Sequence, residues 1–294
     1  MAESRSSSTG MRPHFEDIQA HYDISDEFFG LFHDPSRTYS CALFEREDMT
    51  LEEAQIAKVD LNLDKLKLEP GMTLLDIGCG WGSAMKRGIE KYDVNVIGLT
   101  LSKNQCAYSQ RLLDDIDANR SHQVFLRGWE EFGDPVDRII SIEAFEAFGK
   151  PRYAAFFEMA YRILPSDGRM VLQTISGHPL SAWPTMGIPI TMSDLRFMRF
   201  IAKEIFPGGE VPSVEDVVEY SHEAGFSVER IQVLNPHYVR TLDTWAASLA
   251  ARRTDAIAIT SEEVYERYMR YLTGCADFFR RGISEVGQFT LTKG

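Results

Sequence analysis

Residues Thr73 to Ser83, T-L-L-D-I-G-C-G-W-G-S, decide the fold. The first five, Thr73–Ile77, read as a short buried strand. Gly78, Gly80 and Gly82 then form a turn, and a helix begins after them. Glycine belongs where backbone turns sharply or must approach a ligand, because a Cβ would clash there. The following helix aims its positive N-terminal end at whatever sits in the turn. Such a turn, at the carboxyl edge of a parallel sheet, suits a nucleotide-like ligand.

Spacing separates two cofactor classes. A dinucleotide site uses G-x-G-x-x-G with an acidic residue on the ribose about 20 residues later. Here the pattern is D-x-G-x-G-x-G, with Asp76 just before the first glycine. The second strand, 94–98, runs into Leu99, Thr100, Leu101 and Ser102 without a carboxylate. That pattern favours S-adenosylmethionine (SAM) over NAD, as in Rossmann-like methyltransferases.

Downstream the alternation is regular. Strands are predicted at 73–77, 94–98, 123–127, 137–142 and 169–174, with helices at 82–91, 103–116 and 151–163. Short strands alternating with helices imply an α/β fold with a parallel sheet and right-handed crossovers. The third strand leads into Gly128-Trp129-Glu130, placed to close over an adenine ring. The fourth leads into S-I-E-A-F-E-A-F-G, residues 141–149. In a helix, Glu143 and Glu146 would share one face, beside Phe145 and Phe148. Carboxyls among aromatics tend to titrate abnormally and often mark a site.

Upstream, Phe15, Ile18, His21 and Tyr22 follow helical spacing and precede an aromatic cluster, Phe28, Phe29, Leu31 and Phe32. A core helix or a lid over an apolar pocket both fit. Residues 50–68 read as a helix with a capping box, Thr50 and Glu53. Residues 178–222 break the alternation and read as a helical insertion roofing the site. Leu195, Met198, Ile201 and Ile205 form its apolar stripe, and Arg196, Arg199 and Lys203 form another face. The chain returns to the sheet at 226–234. A long helical stretch follows at 261–281, and Gly287–Thr292 closes the sheet as a hairpin-like last strand.

The 294 residues suit one large α/β domain over 13–294, with a helical lid at 13–70 and a disordered tail at 1–12. A net charge of −13 argues against a chain that coats nucleic acid. Four scattered cysteines without a C-x-x-C pair argue against a metal site or disulfide framework. They suit the reducing cytoplasm. No apolar run is long enough to span a membrane, and the first ten residues lack the apolar core of a signal peptide.

Several motifs together resemble the mycolic acid methyltransferases, or mycolic acid cyclopropane synthases, relatives of cyclopropane fatty acid synthase. They are H-F-E-D-I-Q-A-H-Y-D, R-T-Y-S-C-A, L-L-D-I-G-C-G-W-G, G-L-T-L-S-K-N-Q, E-I-F-P-G-G and E-E-V-Y-E-R-Y-M-R-Y-L-T-G-C. The resemblance spans about residues 13–293. It implies a mostly parallel seven-stranded sheet and transfer of a SAM methyl to a double bond of a very long acyl chain. That chain would be held on an acyl carrier protein.

By motif, it implies cofactor contacts at Tyr39 and Ser40 and along Leu74, Leu75, Asp76, Ile77, Gly78, Cys79, Gly80, Trp81 and Gly82. Further contacts would come from Thr100, Leu101, Ser102, Lys103, Asn104 and Gln105, and from Trp129 and Glu130. Cyclopropanating members hold a bicarbonate, through residues matching Cys41, Glu146, Tyr238, a backbone glycine and a histidine. Cys275 matches the cysteine assigned to the family's active site.

An alkene is a weak nucleophile, so the methyl must be brought close and aligned. Attack leaves a carbocation, which aromatic faces stabilise. Tyr22, Phe148, Phe206, Tyr238 and Trp245 are candidate walls. Two positions depart from the cyclopropanating pattern and resemble the hydroxymycolate branch: Glu143 stands for the glycine and Gln173 for the histidine. The Glu143 carboxylate would then replace bicarbonate. Ala147, where many members have histidine, and the C-terminal segment leave the product open among hydroxylated, methyl-branched and cyclopropanated lipid. Two other readings share these residues: a SAM methyltransferase for another small molecule, and a lipid- or SAM-binding module without catalysis.

Overall fold

The structure, a computed structural model, describes residues 25–294. The tail at 1–12, the helical spacing of Phe15 to Tyr22 and the wall role of Tyr22 lie outside the described residues.

Seven strands form one sheet in the order β3-β2-β1-β4-β5-β7-β6. They are β1 Thr73–Ile77, β2 Asn95–Thr100, β3 His122–Leu126, β4 Arg138–Ile142, β5 Arg169–Gly177, β6 Phe226–Val233 and β7 Ser284–Lys293. β1 to β5 are parallel, and β7 runs antiparallel to both neighbours. β1 is nearly all buried, as a strand covered on both faces must be. β7 is longer than its sequence signal. It lies between β5 and β6 rather than at the edge, and helices separate it from β6 in the chain, so the pair is no hairpin.

The helices are α1 Asp26–Phe29, α2 Leu51–Lys65, α3 Ser83–Tyr92, α4 Lys103–Asp114, α5 Tyr153–Ile163, α6 Met192–Phe200, α7 Val214–Glu223, α8 Asn235–Ala251, α9 Arg253–Ile259 and α10 Glu262–Arg280. Thr50 and Glu53 cap α2 reciprocally. Its buried face is unusual: beside Ala54, Val59 and Leu63 it carries Gln55, Lys58 and Asn62. Buried polar groups need partners, and the nitrogens of all three have them, while Gln55 Oε1 and Asn62 Oδ1 find none among the described residues. Gln55 Nε2 donates to Ser40 O (2.8 Å), Lys58 Nζ to Ser40 Oγ (2.7 Å) and Asn62 Nδ2 to Gln173 Oε1 (3.0 Å).

Two apolar cores flank the sheet, and a third joins α1, α6, α8 and α10 beyond it. The insertion between β5 and β6 differs from its expected stripe. Ile205 is buried as expected, but Leu195 and Met198 are each 37 % exposed, and Phe197 and Phe200 are buried in their stead. The larger rings take the core side. Phe197 presses on α10 where only Gly274 leaves room, since a Cβ there would come within 2.2 Å of its ring. α6 then continues as a π-helical turn, Ile201–Ile205, which shifts the phase of the stripe. α8 buries Tyr238, Leu242, Trp245 and Leu249, a helical i, i+4, i+7, i+11 pattern present in the sequence but not foreseen as a helix.

Candidate active site

A cavity of about 830 Å³ opens at the carboxyl ends of β1, β2, β4 and β5, within the size range of small-molecule sites. The glycine turn forms one end. Gly78 and Gly80 have φ of +79° and +52°. A Cβ at Gly78 would lie 2.3 Å from Ala144 Cβ, whereas one at Gly80 would meet nothing within 4 Å among the described residues. The turn is therefore closed against the end of β4 and open beside Gly80. The amides of Gly78 and Cys79 both donate to Leu99 O, at 2.9 and 3.0 Å, tying the turn to β2.

Most of the expected cofactor residues line this end. Tyr39, Ser40 and the run Asp76, Ile77, Gly78, Cys79, Gly80 and Trp81 do so, as do Thr100, Leu101, Gln105, Trp129 and Glu130. Six others sit off the wall. Leu74 and Leu75 are fully buried in β1. Gly82 backs onto Ser109. Ser102 caps α4, Lys103 is exposed, and Asn104 Nδ2 reaches Asp26 Oδ1 at 3.5 Å. Trp129 Nε1 is buried and has no partner among the described residues, a donor open to a ligand. Burial raises Asp76 to about 7 and lowers Lys58 to about 8.

The other end centres on Glu143. Cys41 N and Gln173 Nε2 donate to its Oε1 at 2.9 and 2.7 Å, and Tyr238 OH donates to its Oε2 at 2.6 Å. Glu143 lies at φ +51°, outside the expected helix. A left-handed backbone costs a non-glycine residue about 1–2 kcal/mol. Strain of this kind persists where surrounding contacts enforce it, and three donors do so here. Burial raises the Glu143 pKa, and the three donors and the Lys58 charge oppose that rise.

Glu146 also lines the cavity, from the 3₁₀ turn that follows. Its Oε1 accepts from Ile175 N at 2.5 Å, and its Oε2 is buried with no partner among the described residues. Burial and the Glu143 charge push Glu146 up to about 7. Cys41 contributes its backbone amide. Its thiol points to Ala42 O and Leu234 O, and burial raises its pKa well above the usual range. Cys275 lines the wall as a neutral thiol, pushed up to about 12 by burial.

Phe148, Phe206 and Tyr238 line the cavity. Trp245 does not: it is fully buried behind Tyr238, with ring centroids 6.4 Å apart. Lys58, Arg37 and Tyr271 also line the cavity and were not foreseen. The spacing of Gln55, Lys58 and Asn62 on one face of α2 was the available signal for Lys58. Arg37 sits over the rings of Trp81 and Tyr108, at 5.0 and 4.7 Å. Among the described residues, no helix is long and apolar enough to cross a membrane.

The family model described as mycolic acid cyclopropane synthetase matches residues 9–289. The chain belongs to that family. It is 62 % identical over 285 residues to the S-adenosylmethionine-dependent methyltransferase UmaA of Mycobacterium tuberculosis, covering 97 % of this chain and all of that one. It is 57 % identical over 293 residues to the methoxy mycolic acid synthase MmaA3 of the same species, covering 100 % of both. The crystal structure of the mycolic acid cyclopropane synthase CmaA1, complexed with SAH and CTAB, superposes with a TM-score of 0.94 at 58 % identity. That match covers 96 % of this chain and 99 % of the other.

Proposed function

We propose that this chain is an enzyme that transfers the methyl group of SAM to a double bond of a long, mycolic-type acyl chain. We further propose that Glu143 serves as a built-in anion beside the resulting carbocation. The convergence of three donors on the Glu143 carboxylate, at a strained backbone position, carries this reading.

The residues present fit SAM: an open glycine turn, the unpartnered Trp129 Nε1, and relatives of that cofactor class. SAM supplies an electrophilic methyl on a sulfonium. Tyr39, Ser40, Asp76 to Trp81, Thr100, Gln105, Trp129 and Glu130 would hold it. Phe148, Phe206 and Tyr238 give the acyl chain an apolar wall whose ring faces favour a cation. Cys41 N, Gln173 and Tyr238 hold Glu143 with two bonds on one oxygen and one on the other. Glu146, titrating near neutrality with a free oxygen, takes the proton that the cation or an attacking water releases. With Glu143 in place, a bicarbonate would meet a like charge where cyclopropanating members bind it.

Hydroxylated or methyl-branched lipid is the product this arrangement favours. Arg196, Arg199 and Lys203 are exposed on the insertion, beside the cavity residues Met198 and Phe206, and form a docking face for an acidic acyl carrier protein. The four cysteines are free, in keeping with a cytoplasmic enzyme. Mass spectrometry of mycolic acids from a host expressing the chain, against a strain lacking it, tests the reading. A gain of CH₂ plus water supports it, and a gain of CH₂ with a cyclopropane ring and unchanged product in Glu143→Gly would sink it.

A further inference from the structure

Behind Glu143 lies a row of buried amides that methyl transfer itself does not call upon. Gln173 on β5 and Gln288 on β7 face each other in the antiparallel pair, and both are fully buried. Gln288 Nε2 donates to Gln173 Oε1 at 2.9 Å. Asn62 Nδ2, from α2, donates to the same oxygen at 3.0 Å. Lys65 Nζ, one turn further along α2, donates to Gln288 Oε1. Gln173 Nε2 completes the row by donating to Glu143 Oε1 at 2.7 Å.

A lone buried glutamine can present either its oxygen or its nitrogen, since the two ends of the amide are nearly the same shape. Gln173 has no such choice. Two donors occupy its oxygen, so its nitrogen must face the carboxylate. Every bond in the row points the same way, from the Lys65 ammonium towards the Glu143 carboxylate. A cation at one end and an anion at the other polarise the amides between them, and each bond strengthens the next. Buried amides are costly unless paired; both ends of Gln173 and of Gln288 are paired, while Asn62 Oδ1 finds no partner among the described residues, and apolar residues would fill the same space without that demand.

We propose that Gln288 and Asn62 are positioning residues for the reaction: they clamp the Gln173 amide so that it can only donate to Glu143, and Lys65 anchors the far end of the row. This rests on the reading of Glu143 as the anion beside the carbocation. The clamped Gln173 amide joins the Cys41 amide on Glu143 Oε1, and together the two bonds fix the plane of the carboxylate. Oε2 then keeps one lone pair beyond the Tyr238 hydroxyl. Without the clamp, Gln173 can turn its carbonyl to the carboxylate, which pushes the carboxylate out of line.

The experiment is a double-mutant cycle between Gln288→Leu and Glu143→Gly in the full chain, assayed with SAM and oleoyl acyl carrier protein. Gln288→Leu removes an amide–amide bond and frees Gln173 to release the charged Glu143 carboxylate, and that second loss predicts a fall in kcat of about tenfold, with the KM for SAM unchanged. In the Glu143→Gly background there is no carboxylate to aim, so the same substitution changes kcat by less than about twofold. Gln288→Glu keeps the size and the Lys65 contact but cannot donate to Gln173. It gives the same loss, and serves if the leucine variant fails to fold. Equal losses in both backgrounds, or a KM for SAM rising in step, would overturn the clamp while leaving Glu143 in its role. Full activity and unchanged product in Glu143→Gly alone would overturn the reading of Glu143, and the clamp with it.

Discussion

The glycine-turn end of the cavity is largely backbone, supplied by one unbroken stretch, residues 76–81, and braced by two amides on Leu99 O. The end around Glu143 is made of side chains and one amide gathered from residues 41, 143, 173 and 238, with 62 and 288 behind them. Backbone sites are set by which positions can be glycine. Side-chain sites are set by which partners the fold brings within about 3 Å. The first kind tolerates little change at a few positions, and the second can alter its chemistry one side chain at a time.

Gly78→Ala should separate the two ends most sharply. Its new Cβ would lie 2.3 Å from Ala144 Cβ, at a φ of +79° that L-residues avoid. We expect loss of SAM binding by calorimetry, with the Glu143 end unaltered in sequence. Retained affinity would mean that the turn yields more easily than its packing implies. Glu143→Gly should do the reverse. SAM affinity stays within about twofold while kcat falls on the order of 100-fold, the range for removing a charged group that stabilises a developing charge. The relieved backbone and the three freed donors predict partial rescue by added formate or bicarbonate, read as a rate that saturates with anion concentration.

Tyr238→Phe removes one donor to Glu143 Oε2 and leaves the ring in place, so kcat should drop about tenfold. The pH profile gives a subtler readout. Glu146 must be ionised to take a proton, and its pKa of about 7 places the acid limb of kcat near neutrality. Because the Glu143 charge helps to raise that pKa, Glu143→Gln should move the limb to lower pH. The sign for stability is opposite. A carboxyl whose folded pKa lies above its unfolded value binds extra protons when folded, so this contribution weakens as pH rises from about 4.5 to about 7. Cys275→Ser should have the smallest effect, about two- to fivefold, because a thiol with a pKa near 12 is neither base nor nucleophile at neutral pH. A larger loss would give this thiol a part in the chemistry that its burial argues against.

The same contrast explains what could be read from sequence. The α/β class, five strand positions, the cap at Thr50 and the glycine turn follow from local patterns: apolar runs, capping residues and φ-permissive positions. Glu143 and Gln173 were visible as departures from a family motif, but their contact was not, because 30 residues separate them. Gln288 carried no signal, and Asn62 only the helical spacing it shares with Gln55 and Lys58. Their role comes from α2 and β7 packing beside β5, which no local window contains. The apolar stripe of the insertion failed for another reason. Periodicity placed Leu195 and Met198 inside, but ring size and the gap at Gly274 drew Phe197 and Phe200 to the core instead.

The place of β7 in the sheet bears on how the enzyme is made. A growing chain tends to fold from its N-terminal part onward, as residues leave the ribosome at on the order of 5–20 per second. β1 to β5 can therefore align, and the glycine turn can form, well before Ser284–Lys293 is synthesised. Until then β5 presents an open edge, which is a template for wrong pairing, and β6 has no strand beside it. When β7 slots in, it covers that edge, recruits β6 and delivers Gln288 to Gln173 in a single event. A nascent chain of this design completes its glycine turn early and the Gln173–Gln288 pair only once the sheet is whole, so the two ends of the cavity are finished at different times.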